Sequence, residues 1–273
     1  LADTRMTAFL QARVRQRMVE LGGAAAGFAP TVAVKLVSCV PRRLRAPDIL
    51  REHFRGRDGA ALPEFLKYES RAVVLFQKLD GCDVMVFSMY VHEFPTAAGG
   101  PSAGRVYVAY LDSVEYFRPR TARTEVYHEL LVAYLDWSRG RGFDAAHIWA
   151  CPPLKGDDYI LYAHPPNQRT PKPDRLREWY QQMLDIAQQR RVVEEVTTVY
   201  DEYFPPDSVR RLTDVPYYEG DYWPGIAEEF IVKATEGAGT HGKPLRMRQK
   251  GMERSTSAGD PAALPSSRRS STS

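Results

Sequence analysis

Apolar residues between Thr4 and Leu21 fall at Met6, Phe9, Leu10, Val14, Met18 and Leu21, the three-to-four spacing of a single helical stripe. An amphipathic helix is expected there, with Asp3 as its cap. The glycine and alanine run that follows should end it. The period then changes from three or four to two. Thr31 to Val40 (TVAVKLVSCV) alternates and is rich in β-branched residues, Ala72 to Lys78 (AVVLFQK) is apolar, and Asp83 to Phe94 and Arg105 to Ser113 alternate again. These segments read as four strands. Asp80-Gly81 is a hairpin signal between the second and third, and Gly99-Gly100-Pro101 separates the third from the fourth.

Beyond the strands, Val126, Leu130, Ala133, Tyr134 and Trp137 form a stripe from Thr124 to Arg139, with Glu125 in the first turn where the helix dipole favours an acid. This is read as a capped, core-facing helix. A short strand from Ala146 to Cys151 and a long Pro/Gly/Asp loop to Pro173 follow. The next helix runs from Asp174 to about Arg191, turning Leu176, Tyr180, Met183, Leu184 and Ala187 inward. The expected class is α/β or α+β: a central, mostly antiparallel sheet with helices packed against it.

The chain has 273 residues, 44% of them hydrophobic and 11% aromatic, enough for one large core or two small ones. Nowhere does an apolar run reach the roughly 18 residues of a membrane span, and no charged-then-apolar leader precedes the first helix. A soluble intracellular protein with no membrane partner is expected. The start at Leu1 points to a piece of something longer. Cys39, Cys82 and Cys151 show neither metal-type spacing nor a disulfide framework, so no metal site is expected.

Charge is segregated along the chain. The formal net charge is +3, but residues 237–273 carry seven Lys/Arg against Glu253 and Asp260, a net of +5. Residues 194–236 hold eleven acids against three bases, a net of −8. The acidic stretch is either a solvated surface or an attractor for a basic partner. Past residue 235 the Gly, Ser, Thr, Pro and Arg content predicts a basic disordered tail over 236–273, following a folded domain over 1–235. Nucleic-acid contact by that tail is left open.

Several residues could carry chemistry, each with a plainer alternative. Arg118, Arg120 and Arg123 lie just ahead of a helix start, where free N–H groups and the dipole favour a phosphate, or where they form a solvated basic loop. Trp149 to Pro173 gathers Trp149, Cys151, Tyr159, His164 and two Pro-Pro pairs, as a functional loop or as a cover over the core. Arg175 and Trp179 share a helical face, with Tyr180 at its edge as a core residue with a wet tip or as a catalyst. Cys151 among His128, His147 and His164 permits a thiol nucleophile, and the simple alternative is a buried free cysteine.

Four longer segments resemble the CREB-binding-protein type of histone acetyltransferase: YLDSVEYFRPRTARTEVYHELLVAYLDW (110–137), HIWACPP (147–153), GDDYILYAHPPNQRTPKPDRLREWY (156–180) and PYYEGDYWP (216–224). The resemblance runs in order over roughly residues 1–231. It implies the general acetyltransferase fold, with acetyl-coenzyme A in a groove beside a distinctive loop. Matched position by position, the family's cofactor contacts fall on Leu111, Asp112, Ser113, Arg123, Thr124, Thr170, Arg175 and Trp179. The weakly marked anion site at Arg123 and Thr124 thereby becomes the pyrophosphate site.

For the chemistry, the resemblance implies a general acid at Tyr180 and a wall at Trp149 that orients the substrate lysine, with Glu219 and Asp221 as candidates for binding a basic peptide. A phenol, which ordinarily holds its proton to about pH 10, can protonate a departing thiolate, whose conjugate thiol ionises near 8.5. No base for the lysine is evident. The implied function is acetyl transfer from acetyl-CoA to lysines of histones and other basic proteins, in the nucleus, in chromatin-linked transcriptional regulation, with transcription factors or chromatin engaged through further domains. The alternative is a non-catalytic module that binds acyl-CoA or a basic peptide. Two departures stand out: Thr170 replaces an isoleucine of animal members, and 196–215 is short and free of lysine where they insert a long, lysine-rich regulatory loop. The short connection and GDYWPG look more like plant and algal members.

Overall fold

The alternating segments form a sheet ordered β1 (Val32–Arg45), β2 (Phe65–Leu79), β3 (Cys82–Phe94), β4 (Arg105–Ser113) and β5 (Ala145–Ile148) in a computed structural model of the chain. The structure describes residues 3–53, 62–152, 160–161, 164–165, 168, 171–204, 214–221, 225–226, 229 and 232–233. All but the last two belong to one compact unit, Leu1–Ile231, and the expected tail lies outside the described residues. The first four strands are antiparallel neighbours, and β5 pairs parallel to β4. With helices against it, this mostly antiparallel sheet is the α+β arrangement the pattern predicts. Asp80 and Gly81 turn the β2–β3 hairpin at φ of 50° and 87°, the double positive φ of a type I′ turn.

Strand limits differ from the alternation where hydrogen bonding, not burial, defines the strand. Pairing from Val40↔Ser70 to Arg45↔Phe65 carries β1 and β2 through the largely polar PRRLR and FLKYES segments. In the other direction, the β4–β5 ladder ends at Val108↔Ile148, so Trp149 to Cys151 begin the long loop instead of finishing a strand.

Period two splits the sheet between two cores. Val106 and Val108 enter the larger one, against the helices, whereas Tyr107 joins Tyr68, Phe94 and Tyr218 in a smaller one on the opposite face. A register shift follows, where Tyr90↔Tyr110 gives way to Val91↔Val108. One extra residue on β4 reverses the alternation. Leu111 therefore packs on the helical side, and Tyr110 and Asp112 are turned to the other face.

The helices that back the larger core are α1 (Arg5–Leu21), α4 (Arg123–Gly140) and α5 (Pro173–Gln189). Thr4, not Asp3, caps α1, in a reciprocal capping box with Thr7; Asp3 pairs with Lys35 instead. Gly22, at φ 70°, ends α1, and the alanine run after it makes a short α2 (Gly23–Phe28). The short α3 (Asp48–His53) and α6 (Val199–Tyr203) lack a sequence stripe long enough to announce them. α4 is entered from a 3-10 turn over Arg120–Ala122, and Ala122 supplies no side-chain bond, so the expected cap is absent. Proline at the start of α5 fits a first turn, where a missing N–H costs nothing.

Candidate active site

Four structural endings meet the sequence-predicted residues: the end of β4, the starts of α4 and α5, and the end of β5. At the first, Asp112 is committed to the long loop. Its carboxylate accepts from the backbone N–H groups of Ser113 (2.8 Å), Ile160 (3.0 Å) and Leu161 (2.8 Å), and lies 2.7 Å from Nε2 of His164. Gln168 adds a second stitch, donating to the Ser113 carbonyl at 2.8 Å and accepting from the Glu115 N–H at 3.0 Å. Leu111 is half-buried against the larger core. The LDS tripeptide thus fastens the loop to the sheet through Asp112 and Ser113.

At the start of α4, Arg123 is half-buried and Thr124 exposed. The N-cap residue, Ala122, makes no side-chain hydrogen bond here, so the positive end of the helix dipole carries no side-chain cap. Arg118 is occupied elsewhere, in a two-pronged pair with Asp80 at 3.1 Å.

On α5, Arg175 is exposed, Trp179 half-buried and Tyr180 9% exposed. The Trp179 and Tyr180 rings meet edge to face, with centroids 5.1 Å apart and planes at 82°. Under Trp179 lies His128 of α4, only 2% exposed, its ring centroid 4.5 Å away. Burial lowers the His128 pKa below its ordinary value, against opposing effects of Glu125 and the Trp179 backbone. It is a neutral imidazole at neutral pH.

Past the end of β5, Trp149 keeps 40% of its surface exposed. Two residues earlier, His147 Nε2 lies 3.1 Å from the Asp221 carboxylate. Asp221 belongs to the 214–221 segment, which lies against the smaller core through Tyr218: that ring stacks on Tyr107 at 4.9 Å and lies 4.9 Å from His147. Glu219 accepts from the Tyr68 hydroxyl, a phenol that burial and then the neighbouring carboxylate push well above its usual range. Between the two acids Gly220 takes φ 81°, and a Cβ there would come within 3.1 Å of the Tyr110 hydroxyl. His92, beneath Tyr68, is pushed down to about 4 by burial.

The structure therefore gathers Leu111, Asp112 and Ser113 at one strand end, Trp179 and Tyr180 on one helix, and Glu219 and Asp221 on one segment over the sheet. Thr170 and Tyr159 lie outside the described residues. Cys151 is exposed, contrary to the buried-cysteine reading, because β5 stops before it. His147 and His164 are each held to a carboxylate, and His128 lies under Trp179. These three histidine pairings have no signal in the sequence. Their partners lie between 51 and 74 positions away, and no local motif records them. Among the described residues no group of three His, Cys, Asp or Glu side chains could hold a metal, and no helix is long and apolar enough to cross a membrane.

Comparison with known proteins identifies the family. Histone acetyltransferase HAC12 of Arabidopsis thaliana is 45% identical over 221 residues, covering 76% of this chain and 13% of its own length. The probable histone acetyltransferase HAC-like 1 of Oryza sativa subsp. japonica is 46% identical over 211 residues, 73% of this chain and 12% of its own. Protein cbp-1 of Caenorhabditis elegans is 47% identical over 173 residues, 63% of this chain and 8% of its own. The chain thus spans only a small part of these relatives. The family model described as histone acetyltransferase domain KAT3 matches residues 26–268, and the chain belongs to that family.

Proposed function

We propose that this chain transfers acetyl from acetyl-CoA directly to lysine side-chain amines of histones and other basic proteins, in the nucleus and in the service of transcriptional regulation. Membership of the KAT3 histone acetyltransferase domain family is the observation that carries the reading. The proposed catalytic domain is 1–235, with 236–273 as a basic tail. Transcription factors and chromatin would be engaged through other parts of a longer protein.

Acetyl-CoA supplies an activated acyl thioester whose leaving group is a thiolate. The first turn of α4, which no N-cap side chain closes, and Arg123 and Thr124 within it would hold its pyrophosphate, since helix-start N–H groups and a cation favour a phosphate. Arg175 and Trp179 would hold the rest of the coenzyme, together with Leu111, Ser113 and Thr170; Asp112 would act there mainly by fixing the loop. Tyr180 would donate its phenolic proton to the departing sulfur. The exposed Trp149 ring would orient the aliphatic stem of the lysine, and Glu219 and Asp221 would attract basic flanking residues.

The test is transfer of radiolabelled acetyl from acetyl-CoA to histone H3 and H4 peptides, by the parent and by Cys151→Ala. Both should acetylate. Binding of coenzyme A without transfer to any basic peptide would replace the proposal with a non-catalytic module, and loss of transfer in Cys151→Ala would replace direct attack with a thiol-borne acyl group.

A further inference from the structure

His128 has no part in the proposed chemistry, yet it occupies the joint between the two helices that carry it. It follows Thr124 by four positions on α4, so the two lie on one face of that helix. Trp179 likewise follows Arg175 by four on α5. The two faces meet where the His128 ring lies 4.5 Å from that of Trp179, and Trp179 in turn meets Tyr180 at 5.1 Å. His128 therefore lies between the face of α4 that carries Thr124 and the Trp179–Tyr180 pair.

An unexplained cost accompanies this placement. His128 is 2% exposed, and its Nε2 has no hydrogen-bond partner among the described residues. A buried ring nitrogen without a partner destabilises a fold, and an apolar residue would avoid the penalty. What an apolar residue could not supply is the hydrogen bond between the His128 ring and the Trp179 backbone, so packing alone does not account for histidine at this point. Resting on the proposed function, we infer that His128 is a positioning residue that holds Trp179, and through it Tyr180, at the correct distance from the coenzyme site at the start of α4.

Stability and positioning can be separated by two variants. His128→Phe keeps an aromatic ring but removes both the orphaned Nε2 and the bond to the Trp179 backbone; His128→Ala removes the support altogether. His128→Phe should remain folded and still lose turnover, because a phenyl ring cannot bond the Trp179 backbone and leaves that residue less firmly placed. His128→Ala should raise KM for acetyl-CoA and lower kcat by about ten- to a hundredfold, the scale of an ångström-sized misplacement. The readout that a structural role would not move is coupling. In a Tyr180→Phe background, adding His128→Ala should lower kcat much less than it does in the parent, since the group it positions is already gone. If both variants keep parental kcat and KM, or if the two substitutions lower kcat by independent factors, the inference is wrong. A parent that transfers no acetyl at all would instead overturn the proposed function.

Discussion

Single residues in this fold differ sharply in what the chain reveals of them. Thr4 as a cap, Asp80-Gly81 as a turn and the inward stripe of α4 follow from local chemistry, and all but the choice of Thr4 over Asp3 can be read from neighbouring residues. His92, by contrast, is an alternating position of β3 whose environment comes from Tyr68, Tyr107 and the distant Glu219. Its folded pKa of about 4 lies below the 6.5 of a free imidazole, so between those values the unfolded chain binds a proton that the folded one does not. Stability should therefore rise with pH from about 4 to 6.5 and be indifferent to this group above that window. Thermal melts over roughly pH 4 to 7 should show a shallower slope for His92→Gln than for the parent. Equal slopes would mean that His92 is not held neutral by the fold.

At the scale of elements, the long loop depends on a strand end. Asp112 collects three backbone N–H groups and a histidine, and Gln168 makes two further bonds to the same strand end. Asp112→Asn keeps the size but turns part of the acceptor into a donor facing donors. It should cost about 1–3 kcal/mol, the scale of a buried group left unsatisfied. Hydrogen exchange at Ile160 and Leu161 should speed up more than exchange in β2 and β3, whereas a uniform increase would count against local anchoring. The sequence marks the loop as unusual by its prolines and aromatics, although the alternation carries the preceding strand three residues past its end at Ile148. It does not mark the anchor, because Asp112 and Ile160 are 48 positions apart and nothing near either one records the contact. For a related reason β1 and β2 exceed their apolar alternation: polar residues extend a ladder by backbone bonds that a hydrophobic pattern cannot register.

For the whole molecule, the charge segregation along the chain makes the proposed attraction of a basic substrate testable. The net −8 of residues 194–236 includes the exposed Glu219 and, beside it over the sheet face, Asp221, whose side chain is largely buried against His147. If this surface draws in basic peptides, KM for a histone H4 peptide should rise several-fold as salt goes from about 50 to about 200 mM, with kcat nearly constant, since exposed charges are screened over about a Debye length. A KM insensitive to salt would rule out electrostatic attraction of the peptide. The fold class was legible because the period changes from four to two and back along the chain. The candidate site was legible only in part: Tyr180, Trp179 and Trp149 stand in segments that carry the family resemblance, whereas the pairings that hold His128, His147 and His164 arise from the packing of elements far apart in sequence.

Protonation of the leaving thiolate by Tyr180 is the step on which the proposed chemistry turns. Steady-state acetylation of a histone H3 peptide by Tyr180→Phe, a substitution that removes only the hydroxyl, isolates that step. If the phenol is the acid, kcat should fall by about a hundredfold, with KM for acetyl-CoA near the parental value. A kcat close to that of the parent, in a variant that remains folded, would contradict it.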